Sequence, residues 1–150
     1  MTLRWSDFIT PSTLHLAPLV ELLLEAVPCR QQQAELHLGL QEALVNAVRH
    51  GNGGDPGKVL RIRRIETPCW MVWQVQDEGQ GLAAHARQGQ LPPCPEAVGG
   101  RGLFLIQHCF DDVRWSRRGN RLQLAVRRRR GGRLLAGLVF SGRGSGSRDR

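Results

Sequence analysis

The stretch from Glu35 to Asn52, E-L-H-L-G-L-Q-E-A-L-V-N-A-V-R-H-G-N, constrains this chain more than any other. Leu36, Leu40, Ala43, Leu44, Ala47 and Val48 recur at helical spacing, which predicts an amphipathic helix with that stripe buried. Glu42 and Asn46 interrupt the pattern at its border. Being four apart, they stand one turn above the other on the same face, where both can meet one ligand. A carboxylate can accept a proton, and an amide oxygen can ligate a hard cation without adding charge. Such a pair just before a glycine-rich exit suits a magnesium-phosphate site. The plainer alternative, a solvated helix edge, has to be weighed against the neighbouring segments.

Composition narrows the setting. A chain of 150 residues is long enough for one domain with a proper core. No apolar run approaches the roughly 20 residues of a membrane span, and no basic-then-apolar leader opens the chain, so a cytoplasmic protein without a membrane contact is expected. Cys29, Cys69, Cys94 and Cys109 are scattered, with no C-x-x-C pair or clustered histidines, and are expected to be reduced and mostly packed. The net charge of +8 is uneven: from Arg127 onward eight arginines and one aspartate give +7, leaving +1 for the preceding 126 residues. The body is electrically ordinary, and the basic character belongs to a tail.

The remaining segments read in order. An edge strand is expected around Leu3 to Phe8, closed by Thr10-Pro11-Ser12. A helix follows from about Ala17, with Pro18 in its first turn and Pro28 as its stop. After the central helix, Gly51 is placed for a left-handed C-cap, and His50 for a cation at the negative end of the helix dipole. Two strands, about Val59 to Ile65 and Trp70 to Gln76, are joined by a turn at Glu66 to Cys69. Met71, Trp73, Val75 and Asp77 share one face of the second by period-two alternation.

Asp77 thus ends an apolar row where the strand runs out, and D-E-G-Q-G follows it. A carboxylate there can accept a hydrogen bond from an amino group in an apolar slot, while Gly79 and Gly81 let the backbone approach a flat ring. An ordinary Asp-Gly turn is the alternative. Leu82 to Val98 reads as a long surface loop, with His85 and Arg87 its only candidate phosphate contacts. Gly99-Gly100-Arg101-Gly102 then opens an apolar helical run from Leu103 to Phe110. Glycines at a helix N-terminus expose backbone N–H groups at the positive end of the dipole, a phosphate cradle to which Arg101 could add charge. The absence of G-K-[ST] separates it from a Walker loop. A hairpin closes the body, with Val113 and Trp115 alternating in one strand and Leu122, Leu124 and Val126 in the next.

These signals occur in one order: E-x-x-x-N on a helix, D-x-G-x-G after a strand, and a long loop leading to G-x-G at a helix start. Together they resemble the N, G1 and G2 boxes of the Bergerat-type ATP-binding fold of gyrase, histidine kinases and MutL. Within that superfamily the chain most resembles the small anti-sigma factor serine/threonine kinases of bacterial partner-switching systems. The likeness spans about Leu3 to Arg127 and rests on A-L-V-N-A-V-R-H-G-N, D-E-G-Q-G-L, G-G-R-G-L-F-L-I and the D-D-V…R-R-G-N-R-L-Q-L hairpin.

The resemblance implies an α+β, two-layer sandwich over residues 1–127, a mixed and mainly antiparallel sheet with helices on one face. Residues 128–150 exceed the family's usual domain end, and their Gly, Ser and Arg content leads us to expect a basic, disordered tail. It implies ATP and Mg2+ as cofactors. Asn46 would ligate the magnesium, Asp77 would bind the adenine amino group, Gly79 and Gly81 would admit the base, and Gly100, Arg101 and Gly102 would face the phosphates. Glu42 would be the general base toward a serine or threonine hydroxyl. The implied partners are a STAS-type antagonist, a sigma factor and a second copy of the chain. Two other functions remain open at this stage: a nucleotide-gated binding module without transfer, and nucleic-acid binding through the tail, the least favoured because Phe140 is its only aromatic.

Overall fold

The computed structural model describes residues 2–88 and 101–129. The order is β1 (Arg4–Pro11), α1 (Ala17–Leu24), α2 (Arg30–Asn46), β2 (Val59–Glu66), β3 (Trp70–Gln76), α3 (Arg101–Cys109), β4 (Asp112–Trp115) and β5 (Arg121–Arg127). A five-stranded sheet in the order β1-β2-β3-β5-β4 forms one layer. All four of its pairings are antiparallel, so among the described residues the sheet contains no parallel neighbour. The expected α+β sandwich of the histidine kinase-like ATPase type is the architecture observed.

The alternation read from the sequence fixes which face is covered. Met71, Trp73 and Val75 of β3 and Leu122, Leu124 and Val126 of β5 are buried, together with Leu60 and Ile62 of β2. Facing them are Val20, Leu23 and Leu24 of α1 and the stripe Leu36, Leu40, Ala43 and Leu44 of α2. Trp73 sits at the centre with no exposure. Its indole N–H donates to the Leu23 carbonyl at 3.1 Å, which satisfies its one polar atom, and Phe110 meets the ring edge-on at 5.9 Å.

α1 starts at Ala17 with proline in its first turn, as expected, and stops at Leu24, before Pro28 is reached. Gln33 explains the early stop: its side-chain amide donates to the carbonyls of Leu24 and Val27, satisfying the helix end from the neighbouring helix. β1 is longer than the sequence indicated, because its ladder with β2 continues to Pro11↔Val59.

The C-terminal boundary also reaches further than Arg127. Gln32, 1% exposed, donates to the Arg127 carbonyl and accepts from the Arg129 N–H, while Arg128 bonds to the Cys69 and Thr67 carbonyls. The first two residues assigned to the tail are therefore tied to the body, and residues 130–150 lie outside the described part.

Candidate functional site

Where α2 ends, the helix widens. Ala47–Gly51 forms a π turn, in which the Asn52 N–H bonds five residues back to the Ala47 carbonyl at 2.8 Å. Single π turns inside α-helices concentrate at functional sites, because the extra residue re-aims the side chains around it. The consequence is local. Asn46, the last residue of α2, and His50 and Gly51 of the turn all line one cavity of about 530 Å³.

The expected left-handed C-cap at Gly51 is not formed. The positive φ values nearby belong to Gly53 (66°) and Gly54 (72°), because the π turn carries the helix beyond Gly51. What requires glycine at 51 is the approach of Asp77: a Cβ there would overlap the carboxylate and stand 2.7 Å from the Asp77 Cβ. Gly79 is constrained in the same way, since its Cβ would overlap the Gly51 carbonyl oxygen. Thus the helix exit and the D-E-G-Q-G turn are pressed together by two side-chain-free positions.

Asp77 enters this junction from the end of β3 and is 9% exposed. One carboxylate oxygen accepts the Gly79 N–H at 2.8 Å. Burial is the largest influence on its pKa and pushes it up; the Gly79 hydrogen bond and the charges of Lys58 and Arg118 act in the opposite direction. The cavity beside it is walled by Ala43, Ala47, Val75, Leu103, Trp115 and Leu122. Asp77 thus stands as a carboxylate acceptor beside an apolar slot.

Asn52 was not singled out in the sequence, and it is the junction's main clamp. At 1% exposure, its amide donates to the Val59 carbonyl at 3.1 Å and its oxygen accepts the Glu78 N–H at 2.8 Å. Glu78 in turn accepts the Val59 N–H at 2.7 Å. One side chain therefore joins the exit of α2, the start of β2 and the turn after β3. Its only sequence signal was an Asn inside G-N-G-G, which reads as a turn. His50 and Lys58, the chain's only lysine, also line the cavity. His50 also stands in the last turn of the helix exit, where the dipole reading put it.

α3 contributes Leu103 to the cavity lining. A Cβ on Gly102 would stand 2.9 Å from a carboxylate oxygen of Glu42 and 3.3 Å from the Asn46 amide nitrogen. The first turn of α3 therefore lies directly on the Glu42–Asn46 pair, with α2 and α3 packed along their lengths. First-turn N–H groups of a helix lack intrahelical acceptors and are available as donors. Asn46, Asp77, Gly79 and Gly81 line the cavity itself, while Glu42 lies one turn before Asn46 at its margin. Arg101 is the exposed first residue of α3, and Gly100 lies outside the described residues, as does the loop from 89 to 98.

Gly81 has φ 92°, and a side chain there would overlap the Arg118 carbonyl in the β4–β5 turn. Arg87 fastens the same turn, donating to the Leu82 carbonyl at 2.8 Å and to the Arg117 carbonyl at 3.2 Å. Its guanidinium thus holds the loop base against the hairpin.

The histidine kinase-like ATPase domain model matches residues 13–126, a span that holds every element of the site. The chain belongs to this family. Among individual proteins it is similar to the anti-sigma F factor of Bacillus cytotoxicus, 24% identical over 116 residues that cover 75% of this chain and 80% of that one. It is also similar to the anti-sigma F factor of a Geobacillus species, 28% identical over 89 residues covering 57% and 61%. This member of the histidine kinase-like ATPase family is thus related to anti-sigma factors. Among the described residues no helix is long and apolar enough to cross a membrane.

Proposed function

We propose that the chain binds magnesium-ATP and acts as an anti-sigma-type serine/threonine protein kinase toward a STAS-type antagonist, in a partner-switching system. The observation that carries this reading is that Asn46 and Asp77 line one cavity, with Gly102 of α3 set against Asn46 and Glu42. The donor set fits an adenine nucleotide. Asp77 offers an acceptor to the exocyclic amino group, the apolar walls take the ring, and the α3 N–H groups answer phosphate oxygens. Bound magnesium-ATP supplies the transferable phosphoryl group.

The chain's own residues then have distinct tasks. The Asn46 side-chain oxygen holds the cation without adding negative charge beside phosphates. Glu42, one turn earlier, takes the proton from the attacking hydroxyl, a contribution of roughly 10²–10⁴-fold. Positioning and electrostatics carry most of phosphoryl transfer, so the cavity that seats the nucleotide matters more than the base alone.

Phosphate incorporation into a purified STAS-type antagonist, followed by intact mass, tests the reading with wild type and Glu42→Gln. Transfer is expected for wild type and a fall of at least about 100-fold for the variant, with ATP affinity within a few-fold. Equal transfer by both proteins removes Glu42 from the chemistry. ATP binding without transfer by either leaves the nucleotide-gated binding module as the correct reading.

A further inference from the structure

The helices cover only one side of the sheet. The other side presents Trp5, Asp7 and Ile9 of β1, and by register the rows that they begin can be followed across the strands. One row runs Ile9↔Arg61↔Gln76↔Arg121 from β1 through β2 and β3 to β5. The next runs Asp7↔Arg63↔Gln74↔Gln123↔Arg114, adding β4. A third begins Trp5↔Ile65↔Val72. Trp5 is 62% and Ile9 64% exposed, the two most exposed large apolar side chains of the described residues. A cleft of about 310 Å³ opens on this face, with Asp7, Ile9, Arg61, Gln76 and Arg121 in its lining.

Charge on this face is unequally satisfied. Arg63 forms a two-pronged pair with Asp7, at 2.6 and 2.9 Å, and Arg114 pairs with Asp112 at 2.8 Å. Arg61 and Arg121 are exposed and have no carboxylate or hydrogen-bond partner for their guanidinium groups among the described residues. They flank Gln76 on neighbouring strands, so their backbones lie roughly 10 Å apart at the usual strand spacing. Two planar forks at that separation, beside exposed Ile9 and Trp5, match carboxylates interspersed with apolar side chains.

We propose that this uncovered sheet face docks an acidic, partly apolar segment of a partner protein, with carboxylates on Arg61 and Arg121 and an apolar side chain against Ile9 and Trp5. Charge disfavours two other occupants, and ring content disfavours a third. A second copy would bring together two faces of like net charge, each with Arg61, Arg63, Arg114 and Arg121 against Asp7 and Asp112. The chain's own residues 130–150 carry five arginines and one aspartate, the same sign as the face. Single-stranded nucleic acid calls for several stacking aromatics. Trp5 is the one free ring here, because Arg127 already lies over Trp70 at 5.3 Å. The surface lies outside the cavity lined by Asn46 and Asp77, so the proposal stands or falls independently of the ATP reading.

The test uses the full chain and a fluorescent twelve-residue peptide of alternating Glu and Leu, with binding read by anisotropy and located by amide NMR shifts. The expected footprint centres on Trp5, Ile9, Arg61 and Arg121. Arg61→Glu/Arg121→Glu should weaken binding by roughly tenfold or more, since reversal replaces attraction with repulsion. Arg30→Glu/Arg49→Glu, which makes the same change in net charge on the helical side, should leave it within about twofold. Equal losses for both double variants, shifts confined to residues 130–150, or no binding to the peptide would each overturn the proposal. So would tighter binding of a thymidine 15-mer at the same face, or sedimentation showing that the face is buried in a dimer.

Discussion

Gly51→Ala is the most discriminating single change to the structural account. If Gly51 were a left-handed cap, alanine would strain the backbone whatever surrounded it. The observed turn makes a different prediction. Gly51 has no positive φ, so alanine should gain up to about 1 kcal/mol from helix propensity. Against that gain stands the overlap with Asp77, including a Cβ–Cβ approach of 2.7 Å. Overpacking a close-fitted site costs typically about 1–3 kcal/mol, so the net change is a loss of roughly 0–2 kcal/mol. The informative quantity is the coupling. In an Asp77→Gly background all three of the closest atoms are gone, and Gly51→Ala should become neutral or stabilising. A double-mutant cycle by urea unfolding should therefore give a coupling of about 1–3 kcal/mol; in thermal unfolding this is about 4 °C per kcal/mol for a domain of this size. Equal effects of Gly51→Ala in both backgrounds would refute the contact, and a large additive loss would restore the left-handed cap.

Three further outcomes follow from the same geometry. Asn52→Ala strands the Glu78 N–H and the Val59 carbonyl, each costing about 1–3 kcal/mol when left unsatisfied; urea unfolding should show a loss of 2 kcal/mol or more, and a loss below 1 kcal/mol would contradict the clamp. Asp77 holds its proton more tightly folded than unfolded, because burial raises its pKa. Its contribution is thus most favourable below its unfolded value and declines as pH rises through the folded one. The stability of wild type relative to Asp77→Asn should accordingly fall as pH is raised from about 3 toward neutrality, and a flat difference would contradict the shift. Gln32→Ala frees the Arg127 carbonyl and the Arg129 N–H, so trypsin should cut after Arg127 and Arg128 sooner while the thermal midpoint changes little; unchanged cleavage would mean that Gln32 does not anchor the end.

The layer architecture was legible because periodicity and burial agree: the α2 stripe from Leu36 to Val48 and the β3 row from Met71 to Asp77 are buried as their spacing implied. The Glu42–Asn46 pair was legible for the same reason, since four-residue spacing fixes a face. Its meeting with Gly102 joins segments some 60 residues apart, and nothing in local pattern could give that distance. Glycines were recognised as significant but for an incomplete reason. Gly79 reads as room for a ring, whereas its Cβ position is filled by the Gly51 carbonyl, and Gly51 reads as a cap, whereas it makes room for Asp77. His50 and Asn52 reach the junction through the π turn, and one extra backbone residue in a helix leaves no periodic trace. Lys58 reaches it from the loop before β2. Gly100 and the loop over 89–98 fall outside the described residues.

The central proposal is that Asp77 and Asn46, which line one cavity, serve one adenine-nucleotide site, and titration calorimetry with magnesium-ATP tests it most directly. Wild type should bind one ATP. Asp77→Asn has a single amide oxygen to share between the Gly79 N–H and the ligand. It should remain folded yet lose about 1.5–3 kcal/mol, the value of a hydrogen bond to a charged group, or about 10- to 150-fold in Kd. Asn46→Ala should weaken magnesium-ATP while leaving the affinity for adenosine nearly unchanged. Wild type that takes up no nucleotide at millimolar ATP, or an Asp77→Asn variant that binds as tightly as wild type, would contradict the account.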